Sequence, residues 1–338
     1  MVEVANALHI ASSTTSLLTC LVVLLYMLHP VLDGGSLPRP IGLLGSSSSS
    51  TRGERHQHDC LLAVSDGWWQ RTDPSVEISW ANLPSHIAVR NTKDAFVAYN
   101  ESLAYQWAWH PHSECHIQRR DRPEVRQVFG NKRLGFIGDS HVRYFHNWVA
   151  TALGGQEYSK VDSKQPQIKH NKGQHIAPLN VTMAVNMTHL ASEIQAYLEE
   201  WSEPWPDLLL MDSSVWHLFT NKNISDYTAQ MLGLLHTIKS RVPPSTTLVW
   251  LSPPPRHAIK APHYVDLPAE WIRLYNRVAV DLGFTYPAGP AHHLDLYTLA
   301  LDCLPWCSRE GLHVVDTVNE LALQILANLL LQIDGWSH

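Results

Sequence analysis

From Leu134 to Ile333 the chain repeats one pattern: a short, unbroken apolar run, a turn, then a stretch with apolar positions three and four apart. Leu134 to Ile137, Asp207 to Asp212 (Asp-Leu-Leu-Leu-Met-Asp) and Thr246 to Leu251 read as strands buried on both faces. Asn180 to Val185 reads as a further strand. The helical stretches are Val142 to Leu153, carrying Tyr144, Phe145, Trp148 and Val149, then Leu190 to Leu198, and Tyr227 to Ser240 with Met231, Leu232, Leu234 and Leu235. Ala269 to Leu282 follows, with Trp271, Leu274, Tyr275, Val278 and Leu282 expected on its inner side, and Thr317 to Ile333 closes the series. Gln156 to Ala177 reads as a solvated loop holding Lys160, Lys164, Lys169 and Lys172. Strands alternating with helices of this length predict a mostly parallel central sheet covered on both faces, with chemistry at the carboxyl ends of the strands.

The amino-terminal part breaks this pattern. No charged side chain occurs from Ile10 to Leu32, which is long enough to span a bilayer, so residues 1–33 are expected to form an N-terminal membrane anchor. A cleaved signal peptide is the rival reading. Residues 34–58, with Gly-Gly, Pro-Arg-Pro and the serine run Ser46 to Ser50, read as a flexible stem. The folded domain is expected over 59–338. Its first part, Cys60 to Pro111, is rich in aromatics and reads as turns and short strands, and Asp121 to Gly130 as a polar approach with a short helix. The formal charge of −6 offers no basic field for a nucleic-acid backbone, and neither a dinucleotide fingerprint nor a Walker loop occurs. Arg39, Arg52 and Arg55 follow the apolar segment, a bias that alone would keep the domain cytosolic. Four glycosylation tripeptides, at Asn100, Asn180, Asn186 and Asn223, argue instead for a lumenal domain. So do the four cysteines outside the anchor, which allow Cys303–Cys307 and Cys60–Cys115 disulfides among three connectivities; no metal site is expected.

The candidate chemistry lies where a strand meets a helix. Gly138-Asp139-Ser140 puts a hydroxyl at a helix N-terminus, where free N–H groups can hold an oxyanion. Ester chemistry also needs a base and a group that orients it. His313 is the candidate base, Glu310 its candidate partner three residues earlier, and Asp302 the competing carboxylate. The oxyanion donors expected are the Ser140 N–H and Ser213 or Ser214.

Gly138-Asp139-Ser140 after an apolar strand resembles the first block of the SGNH hydrolases. Its surroundings resemble the PC-esterase branch, which includes capsule and sialic-acid O-acetyltransferases and the plant trichome-birefringence-like polysaccharide O-acetyltransferases. Tyr105-Gln-Trp-Ala-Trp109, Asp66-Gly-Trp68, Gly130 to Arg143, Asp302 to Cys307 and Val315 to Glu320 carry that resemblance, which runs from about Cys60 to the C-terminus. Departures are Glu310 in place of the branch's usual Asp, Pro305 where plant members have a His between the cysteines, and no Gly-x-Asn-Asp block. The resemblance implies an SGNH-like three-layer α/β fold. It also implies a serine-dependent O-acetyltransferase acting on glycan hydroxyls through an acyl-serine intermediate, with a glycan O-acetyl esterase or a catalytically silent glycan-binding module as alternatives. No bound cofactor is implied; transfer needs an acetyl donor, and an acetyl-donor-supplying membrane protein is an implied partner beside the glycan. A single-pass protein of the secretory pathway, with a lumenal Golgi domain, is the expected setting.

Overall fold

The computed structural model describes residues 67–71, 107–111, 117–156, 171–257, 267–301, 308, 311–314 and 316–333. The chain separates into two units, Met1–Ser49 and Ser50–His338, and every described residue lies in the second. A two-stranded antiparallel sheet pairs β1 (Gly67–Arg71) with β2 (Trp107–Pro111), inside the stretch expected to form short strands. Helix α1 (Arg122–Phe129) starts at a reciprocal cap. Asp121 accepts from the Glu124 N–H, and the Glu124 carboxylate accepts from the Asp121 N–H, each at 2.9 Å.

β3 (Arg133–Gly138) leads into α2 (Ser140–Leu153), which stops at Gly154 in the left-handed conformation. Then come β4 (Asn171–Ile176), β5 (Val181–Met187), α3 (Ala191–Glu199), β6 (Leu208–Met211) and α4 (Val215–Thr220). The chain continues through α5 (Ile224–Arg241), β7 (Thr247–Ser252), α6 (Ala269–Asp281), β8 (Ala291–Asp295), α7 (Leu296–Leu301) and α8 (Asp316–Leu330). These strands form one six-stranded sheet in the order β4-β5-β3-β6-β7-β8. It is parallel except at β4, which pairs antiparallel with β5.

Side chains alternate between the sheet's faces and feed two cores. Leu134, Phe136, Leu208, Leu210, Val249 and Leu251 join α1, α2 and α8 on one side. Ile137, Leu209, Met211, Leu248 and Trp250 join α3, α4, α5 and α6 on the other. The result is a mostly parallel α/β sheet with helices on both faces, consistent with an SGNH-like fold. β3 is central, and its neighbours β5 and β6 come later in sequence on opposite sides, so the chain changes direction across β3. That is the switch point at which open α/β sheets hold ligands.

Several expectations need correction. The loop expected over Gln156 to Ala177 contains the edge strand β4, whose Asn-Lys-Gly-Gln-His-Ile sequence has no apolar run because an edge has fewer neighbours to bury it. On α6, Tyr275 and Val278 face the core as expected, but Trp271 and Leu274 are exposed, and Ile272 and Ala279 are buried in their place. Leu232 on α5 is likewise exposed. Neither the expected disulfides nor the expected signal anchor is found among the described residues, in which there is no disulfide and no helix long and apolar enough to cross a membrane. Residues 1–33, 34–58 and all five cysteines lie outside the described residues. Of the glycosylation tripeptides, Asn186 is buried in β5 and Asn223 uses its side chain to cap α5, accepting from the Ser225 and Asp226 N–H groups.

Candidate active site

Gly138 ends β3, and the tightness of its surroundings fixes the turn that follows. A Cβ there would sit 2.7 Å from Val142 Cγ2 and 3.0 Å from the Asp212 carbonyl oxygen. Backbone bonds clamp this end of the strand to both neighbours. The Thr188 N–H donates to the Gly138 carbonyl at 2.9 Å, and the Asp212 N–H donates to the Ile137 carbonyl at 3.1 Å. Asp139 caps α2 by accepting from the His141 N–H at 2.8 Å, which leaves Ser140 as the first helical residue. Its N–H has no acceptor within the helix, and the positive end of the helix dipole lies there.

His313 reaches this turn from the other end of the domain. Its Nε2 lies 2.7 Å from Ser140 Oγ, the distance at which the hydroxyl can donate to a neutral imidazole. Two rings flank it: Tyr144 with a centroid separation of 4.5 Å and His141 at 4.8 Å. The loop carrying it is pinned by Ser308, whose hydroxyl donates to the His313 carbonyl at 3.2 Å and accepts from the Gly311 N–H at 2.8 Å. Gly311 has φ 97°, a left-handed conformation that a side chain would strain. The two candidate orienting carboxylates, Glu310 and Asp302, lie outside the described residues.

Behind Ser140 is a buried polar cluster of Asp139, His141 and Asp212, whose ligand-type atoms all lie within 4.8 Å of one another. His141 Nδ1 is 2.9 Å from Asp139 Oδ1, and its Nε2 is 3.2 Å from the carbonyl oxygen of Leu312, next to His313. Burial pushes the Asp139 carboxyl up, but the charge and hydrogen bonds of His141, with the His313 charge beyond, outweigh it and hold the group below its ordinary range. Asp212 goes the other way. Burial, then the adjacent Asp139 charge, raise it well above the usual carboxylate range.

The expected oxyanion serines sit differently from each other. Ser213 and Ser214 are each 1% exposed; the Ser214 hydroxyl donates to Asn276 Oδ1 at 3.2 Å, whereas the Ser213 hydroxyl has no hydrogen-bond partner. The Ser213 carbonyl accepts from the Tyr227 hydroxyl. A second serine–histidine contact, Ser252 Oγ to His293 Nε2 at 2.6 Å, joins β7 to β8. Ser252 is 1% exposed, so that pair is a buried brace, while Ser140 is only partly buried.

Sequence reasoning overlooked two features of the site. One is the Asp139–Asp212 juxtaposition, signalled only by aspartates at the carboxyl ends of two strands. The other is an aromatic cluster at the carboxyl ends of β5 and β6, the two strands that flank β3. His189 follows Thr188 at the end of β5, and Trp216 and Phe219 lie on α4 after β6. The ring of Trp216 is 4.3 Å from His189 and 5.5 Å from Phe219, which is 37% exposed.

A serine at the first turn of a helix after the central strand, hydrogen-bonded to a histidine just before α8 and backed by a buried Asp–His pair, is the arrangement that nucleophilic ester chemistry requires. No protein-family model matches the chain. Protein ALTERED XYLOGLUCAN 9 of Arabidopsis thaliana is 20% identical over 64% of this chain. N-acetylneuraminate (7)9-O-acetyltransferase of Danio rerio is 22% identical over 67%. The chain spans 65% of the first relative's length and 30% of the second's. Among solved structures, the acetylxylan esterase Axe2 of Geobacillus stearothermophilus is similar over 60% of this chain and 96% of its own, with 12% identity and a TM-score of 0.39. A member of the lipolytic G-D-S-L family from Veillonella parvula covers 60% of this chain and 97% of its own, with 10% identity and a TM-score of 0.36.

Proposed function

We propose that this protein is a serine-dependent ester hydrolase that removes O-acyl groups, acetyl above all, from glycans. The observation that carries this reading is the 2.7 Å contact between Ser140 Oγ and His313 Nε2 at the carboxyl end of the central strand. His313 takes the hydroxyl proton as Ser140 attacks the ester carbonyl, and the Ser140 N–H with the dipole of α2 meets the developing oxyanion. His313 then returns the proton to the departing sugar oxygen, leaving an acyl-serine. Water, activated by the same imidazole, releases the acid. Glu310 fills the orienting role at His313 Nδ1, with Asp302 as its competitor. The aromatic cluster of His189, Trp216 and Phe219 suits the apolar face of a sugar ring.

A second reading shares the first half of this cycle. The relative from Danio rerio is named as an O-acetyltransferase, and a sugar hydroxyl in place of water would turn hydrolysis into transfer. The test uses the full chain with an acetylated oligosaccharide and a small activated acetyl ester, alone and with acceptor sugars. Acetate release that Ser140→Ala and His313→Ala abolish, with unchanged circular dichroism, supports the hydrolase. Acetylated acceptor as the main product assigns the transferase. Glycan binding that survives Ser140→Ala without any acyl-serine in the intact mass identifies a silent binding module and overturns both.

A further inference from the structure

The cluster behind Ser140 presents an unmatched set of hydrogen-bonding groups. Asp139 and Asp212 are each 1% exposed, and three of their four carboxylate oxygens, Asp139 Oδ2 and both oxygens of Asp212, lack a well-aligned hydrogen-bond donor, although the Asp139 N–H bears on Asp212. A buried acceptor without a donor is destabilising, and more so when charged, so three on two neighbouring groups call for an occupant. A single proton supplies it. On Asp212 it would turn one acceptor into a donor to the neighbouring Asp139 carboxylate, and replace two repelling charges with one. His141 points to the same state. Both of its ring nitrogens face oxygens that can only accept, Asp139 Oδ1 and the Leu312 carbonyl, so both must carry hydrogen for the two contacts to be bonds. An imidazole donating at both nitrogens is a cation, and it has no lone pair left to ligate a metal. The cluster then contains one carboxylate, one carboxylic acid and one imidazolium, and its charges cancel.

We propose that Asp212 is held as the neutral acid, its proton shared with Asp139, and that the pair fixes His141 as an imidazolium latch tying the Ser140 turn to the Leu312–His313 loop. This rests on the reading of Ser140 and His313 as nucleophile and base. Asp212 and His141 are positioning residues in it, since they act on the reacting atoms through the two segments they hold. The charged and titratable groups around Asp212 are Asp139 and His141 from the α2 side, Tyr227 from α5, and His313 on its loop beyond Asp139. The Tyr227 hydroxyl is committed to the Ser213 carbonyl and is itself raised well above its ordinary range, by burial above all, so it stays neutral and supplies no counter-charge.

The experiment compares the full chain as wild type, Asp212→Asn and Asp212→Ala. An asparagine amide can donate to Asp139 as the acid does; alanine cannot. Infrared spectra of protein with isotope-labelled aspartate should show a protonated-carboxyl band at neutral pH that is lost in Asp212→Asn. On the small activated ester, Asp212→Ala should lower kcat by about 10- to 100-fold, the value of a hydrogen bond to a charged group, and asparagine should restore most of it. Stability gives an independent measure. An acid whose folded-state pKa is raised stabilises the fold fully only below the unfolded value near 3.9, and that contribution fades as pH rises toward the folded value. Asp212→Asn should therefore gain on the wild type in folding equilibrium constant by about tenfold per pH unit above the unfolded value.

Absence of the protonated band, or stability curves that run parallel from pH 5 to 7, would overturn the shared proton. A zinc-induced rise in the wild-type melting temperature that Asp212→Asn abolishes would also overturn it, in favour of a cation. If no form turns over any ester, the hydrolase reading fails, and the spectrum and stability curves still decide the proton.

Discussion

Replacing Gly138 by alanine tests whether the nucleophile turn is held as tightly as its contacts imply. The added Cβ would meet Val142 Cγ2 at 2.7 Å and the Asp212 backbone oxygen and nitrogen at 3.0 and 3.2 Å. Carbon atoms in good contact lie about 3.5–4.0 Å apart, so something must move by several tenths of an ångström. Val142 is fully buried against Phe145 and the rest of that core, and the Asp212 atoms are main chain in a sheet strand's continuation, so neither side yields freely. Overpacking of this kind costs about 1–3 kcal/mol. At about 2–4 °C per kcal/mol for a domain of this size, the melting temperature should fall by roughly 2–12 °C. The same movement displaces Ser140, two residues on, from its 2.7 Å contact with His313. A misplacement of about 1 Å can cost on the order of 100-fold in rate, so acylation by an activated ester should slow more than stability alone explains. Gly135→Ala is the control: its nearest neighbours, at 3.1 Å, are side-chain atoms of Leu209 and Pro206 at a distance from the turn. Thermal melts and single-turnover acylation read both variants. A Gly138→Ala protein that melts with the wild type and acylates at its rate would refute the reasoning.

Glu310→Gln should cut kcat strongly while Glu310→Asp keeps or raises it, and Asp302→Asn should spare the chemical step; steady-state kinetics with collapse in Asp302→Asn alone would reverse the assignment. Trp216→Ala should raise KM for an acetylated oligosaccharide by roughly 2- to 10-fold, the worth of one aromatic contact, and leave the small ester untouched. An equal change on both substrates would remove this aromatic cluster from sugar binding. His146 is buried against Phe136, and burial holds its pKa down at about 4, from an ordinary 6.5. A depressed folded pKa gives stability that is present above 6.5 and is lost as pH falls toward 4, here about 3 kcal/mol from His146 alone. Urea midpoints for the wild type and His146→Gln should converge as the solution is acidified, and curves that stay parallel would count against it.

What the sequence made legible was what two buried faces impose on it. β3, β6 and β7 are covered on both sides, so each is a continuous apolar run, and the helices between them carry a periodic stripe. The edges escaped. β4 and β8, Asn-Lys-Gly-Gln-His-Ile and Ala-His-His-Leu-Asp, are polar because each has a neighbour on one side only, and α4 is too short for its period to register. Exposed Trp271 and Leu274 show the limit of assigning a helix face by residue size alone. Ser140 and His313, which the fold brings within 2.7 Å, could be picked as candidates from local motifs, one at a strand–helix junction and one beside a glycine turn. The Asp139–Asp212 pair could not, because it depends on β3 and β6 being neighbours, and nothing local to either aspartate announces that. The signal anchor and disulfides were read from an uncharged apolar segment and from cysteine number, and the residues concerned lie outside the described ones.

The contact between Ser140 and His313 spans 173 positions of chain. Synthesis runs from the amino end, so the serine, its strand and its helix are complete long before the histidine exists. Until then the hydroxyl has no proton acceptor and the turn is an ordinary helix start. The base arrives only with the segment that leads into α8, and α8 packs in the same core as the helix that begins at Ser140. The serine and its proton acceptor therefore meet only after the segment that leads into α8 has been made, and a chain folded no further than α7 holds the hydroxyl without the imidazole.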